Sequence, residues 1–159
     1  MILKNSSVLY LFDFDGTLCG EDHWYGFLKN TYCCFSRKPY LDPSYFDIRW
    51  SILSGRPKTD WIFIKLACTR HVLFPEFIFT SPHWRYNYKK YEENYEDKLK
   101  KIYSILDGKA NFPRKVEKIF YIDNDLECVR YLNTNRKTYR FISGTVKDLV
   151  ENQILTIPI

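Results

Sequence analysis

The segment Asp13-Phe14-Asp15-Gly16-Thr17-Leu18 sets two carboxylates one residue apart, directly after the apolar run Val8-Leu9-Tyr10-Leu11-Phe12. Carboxylates held that close repel each other unless a cation lies between them, so the pair points to a hard metal ion with oxygen ligands. Gly16 permits the sharp turn by which backbone N–H groups face an anion. Thr17 can either cap the segment that follows or touch a phosphate. The plainer alternative is an Asp/Gly turn that closes a strand.

Three other places carry groups of the right kind. In Ile52-Leu53-Ser54-Gly55-Arg56-Pro57 a hydroxyl at the end of an apolar run precedes a glycine and a helix start. Such a hydroxyl can donate to a phosphate oxygen with help from the helix dipole, and Gly55 and Arg56 complete a candidate phosphate-binding set. Ser-Gly-Arg is also a common turn. In Tyr121-Ile122-Asp123-Asn124-Asp125-Leu126-Glu127 an acidic cluster follows a buried run, and Asp123 at its end fits a metal ligand. Asp125 or Glu127 is either a second acid of that site or, for Asp125, the cap of the next helix. The third is the basic stretch Lys98, Lys100 and Lys101. At about 100° per residue, Lys98 lies roughly 70° from the centre of the apolar stripe near Leu99, and the other two lie about 130° away. Only Lys98 sits at the border of core and surface; the alternative is a solvated basic run.

Positioning these groups requires an alternation of short apolar runs and helix-length amphipathic segments. Strands are expected at residues 8–12, 50–53, 77–79, 119–122 and 138–142. Helices are expected at 58–71 after Pro57, with Ile62 and Leu66 as its inner stripe, and at 91–106, with Tyr91, Tyr95, Leu99, Ile102 and Leu106 facing inward. Further helices are expected at 126–132 and 146–150. Alternating strands and helices imply parallel pairing through right-handed crossovers, hence a three-layer α/β/α Rossmann-like domain on a mostly parallel five-stranded sheet. In such sheets ligands gather beyond the carboxyl ends of the strands, where Asp13, Ser54 and Asp123 all stand.

The four elements in this order, spanning Val8 to Ile142, resemble the haloacid dehalogenase-like (HAD) superfamily of aspartate-nucleophile phosphatases, whose first motif is DxDGT. The resemblance implies that Asp13 is the nucleophile forming an acyl phosphate and that Asp15 protonates the leaving oxygen and then activates water. It implies Mg²⁺ held by Asp13, Asp15 and Asp123, phosphate contacts from Thr17, Ser54, Gly55 and Arg56, and a catalytic lysine, for which Lys98 is the candidate. Within the superfamily the chain is similar in outline to the Swiss Army Knife RNA repair-like branch, which processes polynucleotide ends. It departs from that pattern with Ser for Thr at Ser54, with Asn124 for a second aspartate, and with Cys128 near the place of a histidine.

About 35 residues separate Thr17 from the second strand, so no large cap domain is expected; residues 19–49 would form a flap and one helix inserted in a single domain covering 1–159. An open site of that kind suits an extended, macromolecular substrate. Residues 84–101 interleave Trp84, Tyr86, Tyr88 and Tyr91 with Arg85, Lys89 and Lys90, the mixture that stacks on bases and meets phosphates, although some of these tyrosines can equally be the inner face of a helix. His23 and Trp24 either touch substrate or serve packing.

Composition sets wider bounds. The chain has 159 residues, 45% hydrophobic, enough for one core without disulfides. Its net charge of +5, from 24 basic and 19 acidic residues, is compatible with a phosphate-bearing partner and ordinary for a domain. The 18% aromatic content carries no functional weight by itself. Five cysteines (Cys19, Cys33, Cys34, Cys68, Cys128) form no Cys-x-x-Cys pair, and His23, His71 and His83 are scattered, so free packing thiols are expected rather than disulfides or a zinc site. No apolar run approaches the ~18–20 residues of a membrane span, and the first residues lack a signal-peptide pattern. The expectation is a soluble cytoplasmic enzyme: a Mg²⁺-dependent phosphohydrolase acting on polynucleotide ends. The alternatives are a nucleotide or small phosphomonoester phosphatase and a degenerate member that binds nucleic acid or protein.

Overall fold

Five consecutive apolar residues leave β1 (Val8–Phe12) without a polar face, and all five are buried, the pattern of a strand covered on both sides. The computed structural model describes residues 7–19, 39–84 and 91–151. In it β1 is the middle strand of an all-parallel sheet whose other members are β2 (Trp50–Leu53), β3 (Ile78–Phe79), β4 (Lys118–Ile122) and β5 (Phe141–Gly144). The order is β3-β2-β1-β4-β5. Chain direction across the sheet therefore reverses at β1, and the crevice of a doubly wound fold opens between β1 and β4. Phe12 pairs with Ile122, so Asp13 and Asp123 leave the sheet side by side.

Side-chain alternation along β1 divides the apolar residues into two layers. Tyr10 and Phe12, with Trp50 and Ile52, pack against α1 (Trp61–Arg70) and α4 (Val146–Glu151). Leu9 and Leu11, with Ile119, Tyr121 and Phe141, pack against α2 (Tyr91–Leu106) and α3 (Leu126–Asn135). The result is the three-layer α/β/α Rossmann-like architecture expected from the pattern. No helix among the described residues is long and apolar enough to cross a membrane.

Several local expectations differ from the structure. On α1 the expected inner residues Ile62 and Leu66 are exposed, and Ile64, Ala67 and Cys68 face the sheet instead. The sheet on that side already presents Tyr10, Phe12 and Trp50, so the helix contributes smaller side chains where it crosses them. Tyr91, expected inside α2, is exposed at the first residue of the helix. The last strand begins at Phe141 rather than 138, because the Thr138 hydroxyl accepts from the Arg140 N–H (3.2 Å) and closes a turn first. The third strand is two half-buried residues on the sheet edge.

Of the insertion expected at 19–49, residues 20–38 lie outside the described residues, as do His23, Trp24, Cys33 and Cys34. Residues 39–49 hold a 3₁₀ turn, Pro43–Phe46, whose first N–H groups are capped by Asp42. Cys19, Cys68 and Cys128 are buried.

The corrected face of α1 predicts a contrast. Ile64→Ala should cost about 2–5 kcal/mol of unfolding free energy, and Leu66→Ala less than about 0.5 kcal/mol. Urea unfolding of the two variants checks it, and a larger loss at Leu66 would contradict the orientation described.

Candidate active site

Hydrogen bonding at the carboxyl edge extends one residue past the strands. The Asp13 N–H donates to the Ile122 carbonyl (2.9 Å) and the Asp123 N–H to the Gly144 carbonyl (3.0 Å), which fixes both aspartates on the rim of the crevice. Asp13 and Asp123 are both buried. Between their carboxylates lies Lys98 of α2, only 5% exposed. Its Nζ donates to Asp13 Oδ1 at 3.0 Å and to Asp123 Oδ2 at 2.9 Å. Lys98, expected at the border of core and surface, is fully inside, where two carboxylates receive its ammonium. Lys100 pairs with Glu96 in solvent (2.9 Å), and Lys101 lies over the Phe79 ring.

Asp123 is the better supported of the two acids. Besides Lys98 it accepts from the Tyr121 hydroxyl (2.7 Å, Oδ2) and from the Asp125 N–H (2.9 Å, Oδ1). Burial works against its charge, but Lys98, the Asp125 N–H and the Tyr121 hydroxyl outweigh burial and hold its carboxyl below the usual range. Asp13 goes the other way: burial, and then the charge of Asp123, push its carboxyl well above the usual range against the pull of Lys98. Burial also opposes the charge on Lys98, yet Asp13 and Asp123 keep the ammonium well above its ordinary pKa.

Asp15 meets Arg56. The guanidinium donates from Nε to Asp15 Oδ2 at 2.7 Å and from Nη2 to Oδ1 at 2.6 Å, a bidentate pair. Arg56 is itself buried, lies 3.9 Å from Asp60, and stacks its guanidinium near the Phe14 ring. Sequence reading assigned Arg56 to substrate phosphate; here its fork is engaged with a carboxylate of the site.

The Ser54 hydroxyl is buried and accepts from the Arg56 N–H (3.1 Å), leaving its own proton to donate. Gly55 lies against the Asn94 side chain of α2: a Cβ there would fall 2.6 Å from Asn94 Oδ1, so the amide would have to shift. Gly16 adopts φ 75°, the left-handed conformation its turn requires. Thr17 is buried, and its Oγ1 accepts from the Asn124 N–H (3.1 Å), joining the first motif to the last.

Asn124, standing where the resemblance expected a second aspartate, is a tie. Its Nδ2 donates to the Gly16 carbonyl (3.0 Å) and its Oδ1 accepts from the Val146 N–H at the start of α4 (3.2 Å). Asp125 caps α3, accepting from the Glu127 and Cys128 N–H groups, and its other oxygen accepts from the Tyr95 hydroxyl (2.8 Å). Glu127 points to solvent. Cys128 is buried, and burial pushes its thiol far above the usual value, so it stands in this place as an uncharged group.

Sequence reading missed the Tyr121 hydroxyl and the Arg56–Asp15 pair. The first had a signal: residues two apart on a strand share a face, which aims Tyr121 toward Asp123. The second had none, since only the fold brings residues 15 and 56 together.

A divalent cation fits this donor set by chemistry. The candidate ligands Asp13, Asp15 and Asp123 offer only oxygen, as Mg²⁺ prefers. At Lys98 two carboxylates, Asp13 and Asp123, share one ammonium. That surplus negative charge falls on Asp13. Among the described residues no three His, Cys, Asp or Glu side chains already converge as a metal cage, consistent with Lys98 and Arg56 drawing the carboxylates toward themselves. Compared with protein-family models, curated proteins and solved structures, the chain matches none.

The charge count predicts opposite effects for two partners. Lys98→Met leaves two buried carboxylates facing each other and should lower stability by roughly 3–5 kcal/mol. Asp13→Asn removes one surplus charge and should melt no lower than the wild type in metal-free buffer. An Asp13→Asn protein that unfolds earlier would contradict the surplus. Asn124→Asp replaces a donor by an acceptor against the Gly16 carbonyl at an exposed position, and should cost about 0.5–1.5 kcal/mol by thermal unfolding.

Proposed function

We propose that the chain is a Mg²⁺-dependent phosphohydrolase of the haloacid dehalogenase-like superfamily, working through an aspartyl phosphate and acting on polynucleotide phosphate ends. The observation that carries the reading is the Lys98 ammonium between Asp13 and Asp123, at the switch point of a parallel sheet. A structural ion pair would need one carboxylate; two carboxylates on one buried cation make a centre suited to anion transfer once further positive charge is present.

In this reading an Asp13 carboxylate oxygen attacks phosphorus, and the bond from phosphorus to the ester oxygen breaks. Asp15 gives a proton to that leaving oxygen, and then takes one from the water that hydrolyses the acyl phosphate. For that, Asp15 must free an oxygen from Arg56, whose fork would turn to the phosphate. Lys98 spreads positive charge toward Asp13 and the transferring group, and the Ser54 hydroxyl donates to a phosphate oxygen. Asp13, Asp15 and Asp123 would hold Mg²⁺, which when bound offsets the repulsion between carboxylate and phosphate. A cytoplasmic location goes with this reading. One observation favours the binding-only alternative: both oxygens of Asp15 are engaged by Arg56.

The test is phosphate release from 3′- and 5′-phosphorylated oligonucleotides, mononucleotides and an aryl phosphate, with and without Mg²⁺. Turnover should require Mg²⁺ and be greatest on the oligonucleotides. Asp13→Asn should abolish it, Asp15→Asn should lower it about 10²–10⁴-fold, and Lys98→Ala about 10²–10³-fold. Lys101→Ala should stay close to wild type. Turnover that survives Asp13→Asn would rule out the aspartyl phosphate, and oligonucleotide binding without turnover would favour the binding-only alternative.

A further inference from the structure

Trp84 is a large aromatic side chain left in solvent, with 69% of its surface exposed. The segment that carries it is joined to the phosphate loop by a series of hydrogen bonds. The Ser81 N–H donates to the Arg56 carbonyl (2.8 Å), and the Lys58 N–H to the His83 carbonyl (2.8 Å). The Thr59 hydroxyl donates to the Trp84 carbonyl (3.1 Å), and the His83 N–H to Ser81 Oγ (3.1 Å). On the other side His83 Nε2 pairs with Asp97 Oδ2 at 3.0 Å, and Asp97 is the neighbour of Lys98 on α2. The backbone that carries the indole is therefore tied to both elements that would grip the phosphate, the Ser54–Arg56 loop and the helix of Lys98.

Lys58 adds the charge. Its Nζ lies 5.3 Å from the Trp84 ring centre, and it makes no ion pair among the described residues. Lys58 is two residues from Arg56, so their Cα atoms are at most about 7 Å apart. An exposed indole with an ammonium beside it, anchored next to a phosphate loop, has the two features that hold single-stranded nucleic acid: a face for stacking and a cation for the backbone.

We infer that Trp84 and Lys58 form a nucleobase platform, on which the terminal base of a single-stranded polynucleotide stacks while its end phosphate enters the site at Asp13. The placement of the phosphate rests on the function proposed above; the platform itself rests on the contacts just described.

Fluorescence anisotropy tests it without needing turnover. The probes are two labelled single-stranded oligonucleotides with the same terminal phosphate, one with a normal terminal nucleotide and one abasic at that position. Wild type should bind the abasic end roughly tenfold more weakly. Trp84→Ala should bind the normal end about as weakly as the abasic one, and Trp84→Phe should restore part of the difference. Lys58→Gln should reduce the dependence of log Kd on log salt by about one unit. Equal wild-type affinity for both ends, a difference that persists in Trp84→Ala, or no binding of either oligonucleotide would overturn the platform. Phosphate release from the same oligonucleotides reports separately on the chemistry: base-dependent binding without release would remove the phosphatase reading and leave the platform standing.

Discussion

One buried ammonium organises this molecule. Lys98 reaches from α2 across the edge of the sheet, and its two short contacts take in the residue after β1 and the residue after β4. Neither carboxylate could be buried at that rim alone, because each would keep a desolvated charge without a partner. The lysine could not be buried there either. Each of the three groups permits the others, and the helix that supplies the cation also lies with Asn94 against Gly55.

The fold makes that meeting possible through strand order. With β1 in the centre, crossovers leave to one side for β2 and β3 and to the other for β4 and β5. The crevice at the reversal is then lined by the turns after adjacent strands, and the register of Phe12 with Ile122 puts the two aspartates level. Packing on each face is separate, and each mixes aliphatic side chains with rings: Tyr10, Phe12 and Trp50 on the side of α1, Tyr95, Tyr121 and Phe141 toward α2 and α3. The site belongs to the second face, where the same helices that cover the sheet present Lys98, Tyr95 and the cap of α3.

Much of this was legible in sequence where the rule is local. Apolar runs located the strands, and helical angle distinguished Lys98 from Lys100 and Lys101, because distance from a stripe needs no tertiary information. The stripe of α1 was misread because Ile62 and Leu66 are the large apolar residues at helical spacing, whereas the large rings already on the sheet favour Ala67 and Cys68 beneath them. The turn at Thr138 hid the true start of β5, since a side-chain hydrogen bond competes there with strand propensity. Arg56 shows the limit most plainly. Its type suggested phosphate, and only the approach of two distant turns makes a carboxylate its partner.

Asn124 has a consequence of another kind. Its amide joins the turn after β1 to the start of α4 by one donor and one acceptor, and it carries no proton that a change of pH could add or remove. The acids around it can gain and lose protons. The joint that holds their turns together does not titrate, so the scaffold keeps one geometry while the charge inside it changes.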